Sequence, residues 1–291
     1  MAEFSEKHQG TVMYRLKTYI FPRIGKTHIA KLETREIMDV VKPLEQRGNY
    51  ETSRRVLQII NQVFRYAVIT GRAKHNVAAD LRGALKPRKT VHWSAVLEPE
   101  KVGQLLRDID AYEGYFPLVC ALKLAPLVFT RPTELRAAQW KEFDLESGEW
   151  RIPAERMKMR RQHLVPLSRQ AISILRDLQK YGEGTYLFPS IRTEVRPISD
   201  ATMLNALRRM GYQKHEMSVH GFRSIASTLL NELGYNRDWI ERQLAHGEQN
   251  EVRAAYNYAE YLPERRRMMQ DWADYLDGLR NAKRKGSGGT V

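Results

Sequence analysis

The sequence predicts a mainly α-helical protein with a small β-sheet, an α+β architecture divided into two domains. Three observations carry this. Apolar residues recur at helical spacing along most of the chain. Two short extended runs, Trp150-Arg151-Ile152-Pro153 and His163-Leu164-Val165-Pro166-Leu167, interrupt the helical pattern. A basic, proline-containing stretch, Lys86 to Trp93, then separates one helical block from the other. With 291 residues, 42% of them hydrophobic, the chain can bury two cores of ordinary domain size. The expected division is a helical domain over 1–85, a basic linker over 86–96, a second domain over 97–280 and a disordered tail over 281–291, rich in Lys, Arg, Gly and Ser.

In the first domain Val12, Leu16 and Ile20 form a stripe ended by a turn at 21–25. Ile37, Val40, Val41 and Leu44 form a second, capped by Thr34 and stopped near Gly48. Val56, Ile59, Ile60, Val63, Phe64 and Ala67 form the third and strongest, which runs out before Gly71. Leu81 and Leu85 point to a fourth short helix, completing a small bundle. Its polar faces carry Arg15, Lys17, Arg54, Arg55, Arg65, Arg72 and Lys74, which would ordinarily be a solvated surface.

In the second domain Val102, Leu105, Leu106 and Ile109 make an amphipathic helix, and Phe116 to Phe129 is apolar almost all round, the mark of a buried helix. Pro132 suits the first position of the next helix, which leaves Arg131 at a loop-to-helix junction. The two extended runs enclose a basic turn around Lys158. Ile172, Leu175 and Leu178 mark a helix, and Tyr186-Leu187-Phe188-Pro189 an extended segment leading to the loop before Ser199. From Ser218 to Tyr261 three short helices are expected, separated by Gly234 and a turn at Gly247; Phe222, Ile225, Leu229, Leu230 and Leu233 face the core, and Asn236 is a cap. A last long helix carries Met268, Met269, Trp272, Tyr275, Leu276 and Leu279 on one stripe.

Charge narrows the function. Lys plus Arg number 48 against 34 Asp plus Glu, a net charge of +14, which points to a polyanionic partner, nucleic acid first. The one cysteine, Cys120, allows no disulfide framework, and no run of eighteen apolar residues or signal-peptide pattern occurs, so a soluble cytoplasmic protein is expected. Paired carboxylates at metal-ligand spacing do not accompany the histidines, which disfavours a metal-dependent nuclease.

His220 and Arg223 lie three apart, a pairing that commonly amounts to a solvated ion pair but that also suits a phosphate, because a guanidinium can donate two parallel hydrogen bonds to its oxygens. Other chemistry-bearing residues surround that pair in sequence order: Arg131, Lys158 and then, after it, His246 and Tyr256. In that order, and in the blocks TRPTELRAAQW, MKMRRQHLVPLSRQA, VHGFRS, QLAH and VRAAYN, the chain resembles the tyrosine recombinase (phage integrase) family, in particular integrases of satellite phages and genomic islands. The resemblance covers about residues 8–280.

The resemblance implies a core-binding domain and a catalytic domain forming a clamp around double-stranded DNA at attachment core sites, and a site-specific recombinase that integrates or excises a mobile element. It implies Tyr256 as nucleophile forming a 3′-phosphotyrosyl bond, Arg131 and Arg223 on the scissile phosphate, and His246 adding a hydrogen bond. Lys158 is then the general acid, and His220 the group that takes or orients the tyrosine proton. No cofactor or metal is required, since the phosphotyrosyl link keeps the bond energy. Arg160 or Arg161 could stand in place of Lys158, and Tyr258 or Tyr261 in place of Tyr256. The free protein is expected to be a monomer and the DNA-bound form a cyclic tetramer, with part of the last helix on a neighbouring protomer and with accessory DNA-bending proteins and an excisionase as further partners. Thr133 stands where the family usually has Gly, which alters the turn but keeps Arg131 and Glu134. The family's arm-site-binding domain of about a hundred residues has no counterpart here, so the chain is expected to be either a piece of a longer protein or a short member. Core-site cleavage survives in either case. A catalytically silent DNA-binding protein of the same fold and a relaxing topoisomerase of type IB remain as alternatives.

Overall fold

The computed structural model describes residues 6–81, 83–86, 95–182, 184–246 and 260–282. It divides into two compact units, Met1–Val91 and His92–Val291.

In the first unit the opening helix does not stop at residue 21. α1 (Glu6–Arg15) passes through a π-helical turn, Leu16–Ile20, into α2 (Phe21–Ile24). Pro22 has no N–H and its ring crowds the carbonyl four residues back, so the helix widens ahead of it rather than ending. α3 (Thr34–Gln46) is capped from Glu33 and not from Thr34: the Glu33 N–H donates to Glu36 Oε2 at 3.0 Å, while the Thr34 hydroxyl donates to the Val77 carbonyl at 3.2 Å. Gly48, at φ 78, takes the left-handed conformation that closes this helix and lets α4 (Tyr50–Ile69) turn back onto it. Their apolar stripes form the core with Ile20, Ile24 and Leu32, but Val63 is exposed, at the edge of its stripe. The expected fourth helix is a single 3₁₀ turn, Ala79–Leu81; Gly83, at φ 102, is incompatible with a helix through to Leu85.

The second unit is built round α6 (Phe116–Val128), buried on nearly every side between α5 (Pro99–Asp110) and the later helices. α7 (Pro132–Arg136) follows, with Pro132 at its first position and Arg131 at its N-cap. A three-stranded antiparallel sheet, β1 (Phe143–Asp144), β2 (Glu149–Ile152) and β3 (His163–Pro166), pairs Trp150 with Val165 and Ile152 with His163. α8 (Arg169–Tyr181) starts from a Ser168 cap, and β4 (Pro189–Ser190) with β5 (Thr193–Pro197) makes a second small hairpin. α9 (Asp200–Arg209), where no element was expected, buries Met203, Ala206 and Leu207. α10 (Gly221–Glu232) buries Phe222, Ile225, Leu229 and Leu230, but Leu233 falls past its end and is exposed. α11 (Arg237–Gln243) is capped by the Asn236 side chain, as expected, and ends before Gly247. The third expected helix of this stretch, together with Gly247 and Tyr256, lies outside the described residues.

α12 (Leu262–Asn281) lays Met268, Met269, Trp272 and Leu276 into its own unit's core against α5 and α6, so this face is not free for a second copy. None of the described helices is long and apolar enough to cross a membrane.

Candidate active site

Four of the six candidate residues come together where α6, α7, α10 and α11 meet. Arg131, at the N-cap of α7, takes its position from Glu134 three residues on. The Glu134 carboxylate accepts from the Arg131 backbone N–H and from Nη1, both at 2.8 Å, while Nη2 donates to the Ala245 carbonyl at 2.9 Å. Arg223, in the first turn of α10, is 4% exposed. Its Nη1 donates to the Phe129 carbonyl (2.9 Å), and its Nη2 to the Leu244 carbonyl (2.7 Å) and to His246 Nε2 (3.1 Å). The Arg223 Nε–H has no partner among the described residues, an unfilled donor at the centre of the cluster. Burial, then the Arg131 cation, lower Arg223 to about 10, so it stays charged at neutral pH.

Because its Nε2 accepts from Arg223, His246 donates through Nδ1, and the Glu241 carboxylate accepts at 2.8 Å. His220, the N-cap of α10 and half-buried, is held below the ordinary imidazole value, by burial first and then by the charges of Arg223, Arg131 and His246. It is therefore a neutral base at neutral pH. Two guanidiniums and two imidazoles thus face one another with one carboxylate on Arg131 and one on His246. The two carboxylates offset the two guanidinium charges, so what the cluster offers an anion is a set of convergent N–H donors rather than a net positive charge.

Lys158 is exposed, in the turn between β2 and β3. No hydrogen bond among the described residues joins it to the four. Two residues earlier, Arg156 binds both the Glu142 carboxylate, which also accepts from Trp150 Nε1 at 3.0 Å, and the carbonyl of Glu134. The residue that orients Arg131 therefore also anchors the base of the Lys158 turn. Tyr256 lies outside the described residues.

Glu241, Arg156, Gln243 and Arg265 were not among the expected site residues. Arg265 had a legible signal: it shares the buried face of Met268, Met269, Trp272 and Leu276, an odd place for a charge.

Comparison with known proteins agrees with this architecture. Residues 1–84 match the family model of the phage integrase central domain, and residues 95–262 that of the phage integrase family. The integrase of Enterobacteria phage P4 is 41% identical over 294 residues, covering 96% of this chain and 67% of that protein. Prophage integrase IntA of Escherichia coli (strain K12) is 39% identical, covering 94% of this chain and 66% of that protein. Among solved structures, a lambda integrase (75–356) dimer bound to a COC′ core site superposes with a TM-score of 0.69 at 18% identity, over 86% of this chain and 91% of that one. The Tn1549 transposon integrase in complex with circular intermediate DNA gives 0.68 at 13% identity, over 92% and 94%. At these identities the structural matches speak for the fold, and the sequence relatives speak for the family. The chain belongs to the phage integrase family and is a site-specific tyrosine recombinase.

Proposed function

We propose that this chain cuts and rejoins double-stranded DNA at the attachment sites of a mobile element, with Tyr256 as nucleophile. The phenol oxygen attacks the scissile phosphorus, forming a 3′-phosphotyrosyl bond as the bond from phosphorus to the 5′ oxygen breaks. The phenol proton passes to His220, and Lys158 protonates the departing 5′ oxygen. Arg131 and Arg223 bind the nonbridging oxygens. His246 adds a further hydrogen bond at the phosphate. Reversal of the same steps by the 5′ hydroxyl of a partner strand completes exchange.

The observation that carries the reading is the convergence of Arg131, Arg223, His220 and His246, drawn from positions more than a hundred residues apart, on one partly buried point. Basic residues of the first unit would add phosphate contacts. The DNA-bound assembly is a tetramer, assisted by accessory DNA-bending proteins and an excisionase, acting at the nucleoid in the bacterial cytoplasm. Since Met268, Met269, Trp272 and Leu276 are buried in their own unit, a protomer contact of the last helix would use its other residues.

The test is a nicked duplex carrying the core site found at the ends of the protein's own element. A covalent protein–DNA complex is expected with the native chain and none with Tyr256→Phe. A complex that persists in Tyr256→Phe moves the nucleophile to Tyr258 or Tyr261. Relaxation of a plasmid lacking the site would indicate a topoisomerase instead.

A further inference from the structure

The first turn of α12 carries a guanidinium with no solvent exposure at all: Arg265 is 0% exposed. Its partners among the described residues are all neutral oxygens. Nε and Nη2 donate to Gln243 Oε1 (3.1 and 2.6 Å), Nη2 also donates to the Leu164 carbonyl, and Nη1 donates to the Glu260 carbonyl (3.2 Å). Among the described residues this buried cation has no hydrogen-bonded carboxylate, only the nearby charge of Glu260, and an apolar side chain of the same volume would pack there without desolvating a charge. The arrangement calls for a reason other than stability.

Its three partners supply one. Leu164 is in β3, the strand that returns from the Lys158 turn. Gln243 ends α11, and three successive carbonyls there each hold a side chain: Gln243 O accepts from His163 Nε2 (3.1 Å), Leu244 O from Arg223 and Ala245 O from Arg131. Glu260 comes four residues after Tyr256 in the sequence, and its carboxylate accepts from Arg242 of α11 at 2.6 Å. One planar side chain thus joins the strand beneath the Lys158 turn, the helix end that aims both arginines, and the residue that follows the nucleophile's segment.

We propose that Arg265 is a positioning residue for strand cleavage: together with Gln243 it ties the α11 carbonyls that aim Arg131 and Arg223 to Glu260, setting where the chain bearing Tyr256 starts and ends. It touches no reacting atom. The inference rests on the reading of Tyr256 as nucleophile.

The experiment compares Arg265→Met, Arg265→Lys, Gln243→Met and the Gln243→Met/Arg265→Met double variant on the nicked core-site duplex, with the native chain and Tyr256→Phe alongside. Duplex affinity is read separately from the rate of covalent complex formation at saturating duplex, with rates normalised to the folded fraction from thermal melts. Affinity in Arg265→Met is expected to stay within about threefold, while the saturated rate falls about a hundredfold, as a misplacement of order 1 Å produces. Arg265→Lys, with the charge but not the planar fork, should recover little. Gln243→Met should fall comparably, and the double variant should fall no further than the worse single one, as residues acting as a unit do. A purely structural role would lower the folded fraction and leave the normalised rate unchanged, which would overturn the proposal. Should Arg265→Met not fold, Gln243→Met decides alone, and a native rate there overturns it. A substrate with sulfur in place of the bridging 5′ oxygen needs no acid for its leaving group. The Arg265→Met defect should persist on it, and rescue would place the effect in the Lys158 turn, against the proposal. Failure of the native chain to form a complex, or success of Tyr256→Phe, would defeat the assignment of the nucleophile itself.

Discussion

Two non-glycine residues sit in left-handed backbone conformations beside the candidate site, Phe129 at φ 36 and Ala245 at φ 48, and each turns its carbonyl to one of the two guanidiniums. Such conformations are costly for residues with a Cβ and persist only where the surroundings impose them. Phe129 is held by its buried ring, edge-on to Trp272 with centroids 6.3 Å apart. Orientation of the cluster therefore depends on backbone as much as on side chains. Glu241→Ala removes the acceptor that orients His246 through Nδ1. Covalent complex formation is expected to drop about tenfold, the scale of one hydrogen bond to a charged group, with duplex affinity unchanged. For His220 the sign follows from its lowered value: it remains an unprotonated acceptor below pH 6.5, the ordinary imidazole value, and loses that capacity only at lower pH. The acid limb of the cleavage rate, measured from pH 5 to 8, should fall below that of a free imidazole, and His220→Gln should abolish the limb.

At the scale of elements, the second unit depends on how closely α5 and α12 approach. A Cβ built at Gly103 would lie 2.4 Å from the Leu279 carbonyl, so the two helix backbones meet there with no room for a side chain. Gly103→Ala should force them apart at about 1–3 kcal/mol, seen as a lower thermal midpoint. The same approach explains the stripe of α12. A sequence pattern marks a face as apolar but does not say which surface covers it, and here the cover is α5 and α6 rather than another protomer. Val63 and Leu233 show the limit in another way. Both fit a helical period, yet one lies at the edge of its stripe and the other just past its helix, and both are exposed. β1 was illegible because a two-residue strand has no periodicity to read, while the extended segment expected at 186–189 runs into β4 and β5 lies where a loop was expected. α9 carries a helical signal in the spacing of Met203, Ala206 and Leu207.

For the molecule as a whole, two solution properties follow. His163, buried and donating to the Gln243 carbonyl, is pushed down to about 3 by burial and by the nearby arginines, Arg265 first. Below pH 6.5 the unfolded chain takes up a proton at this residue that the folded chain refuses, so the second unit should lose stability as pH falls from 6.5 towards 3. The ceiling from this one residue is about 1.4 kcal/mol per pH unit, and chemical denaturation of His163→Gln beside the native chain should show a flatter acid slope. The net charge of +14 predicts that DNA affinity falls steeply with salt. A log-log slope steeper than about −5 is expected if six or more phosphates are neutralised, and a slope near zero would contradict the proposed mode of binding.

The sequence by itself determined the two-domain α+β class, the main helices, the charge that points to DNA, and the residue types of the candidate site, because these rest on local periodicity and composition. Only the tertiary structure decided which of those residues meet. Arg131, Arg223, His220 and His246 come together through the carbonyls of Phe129, Leu244 and Ala245 and through Glu134 and Glu241. Backbone acceptors of that kind carry no signature in the sequence, since every residue has a carbonyl and only the fold determines where it points.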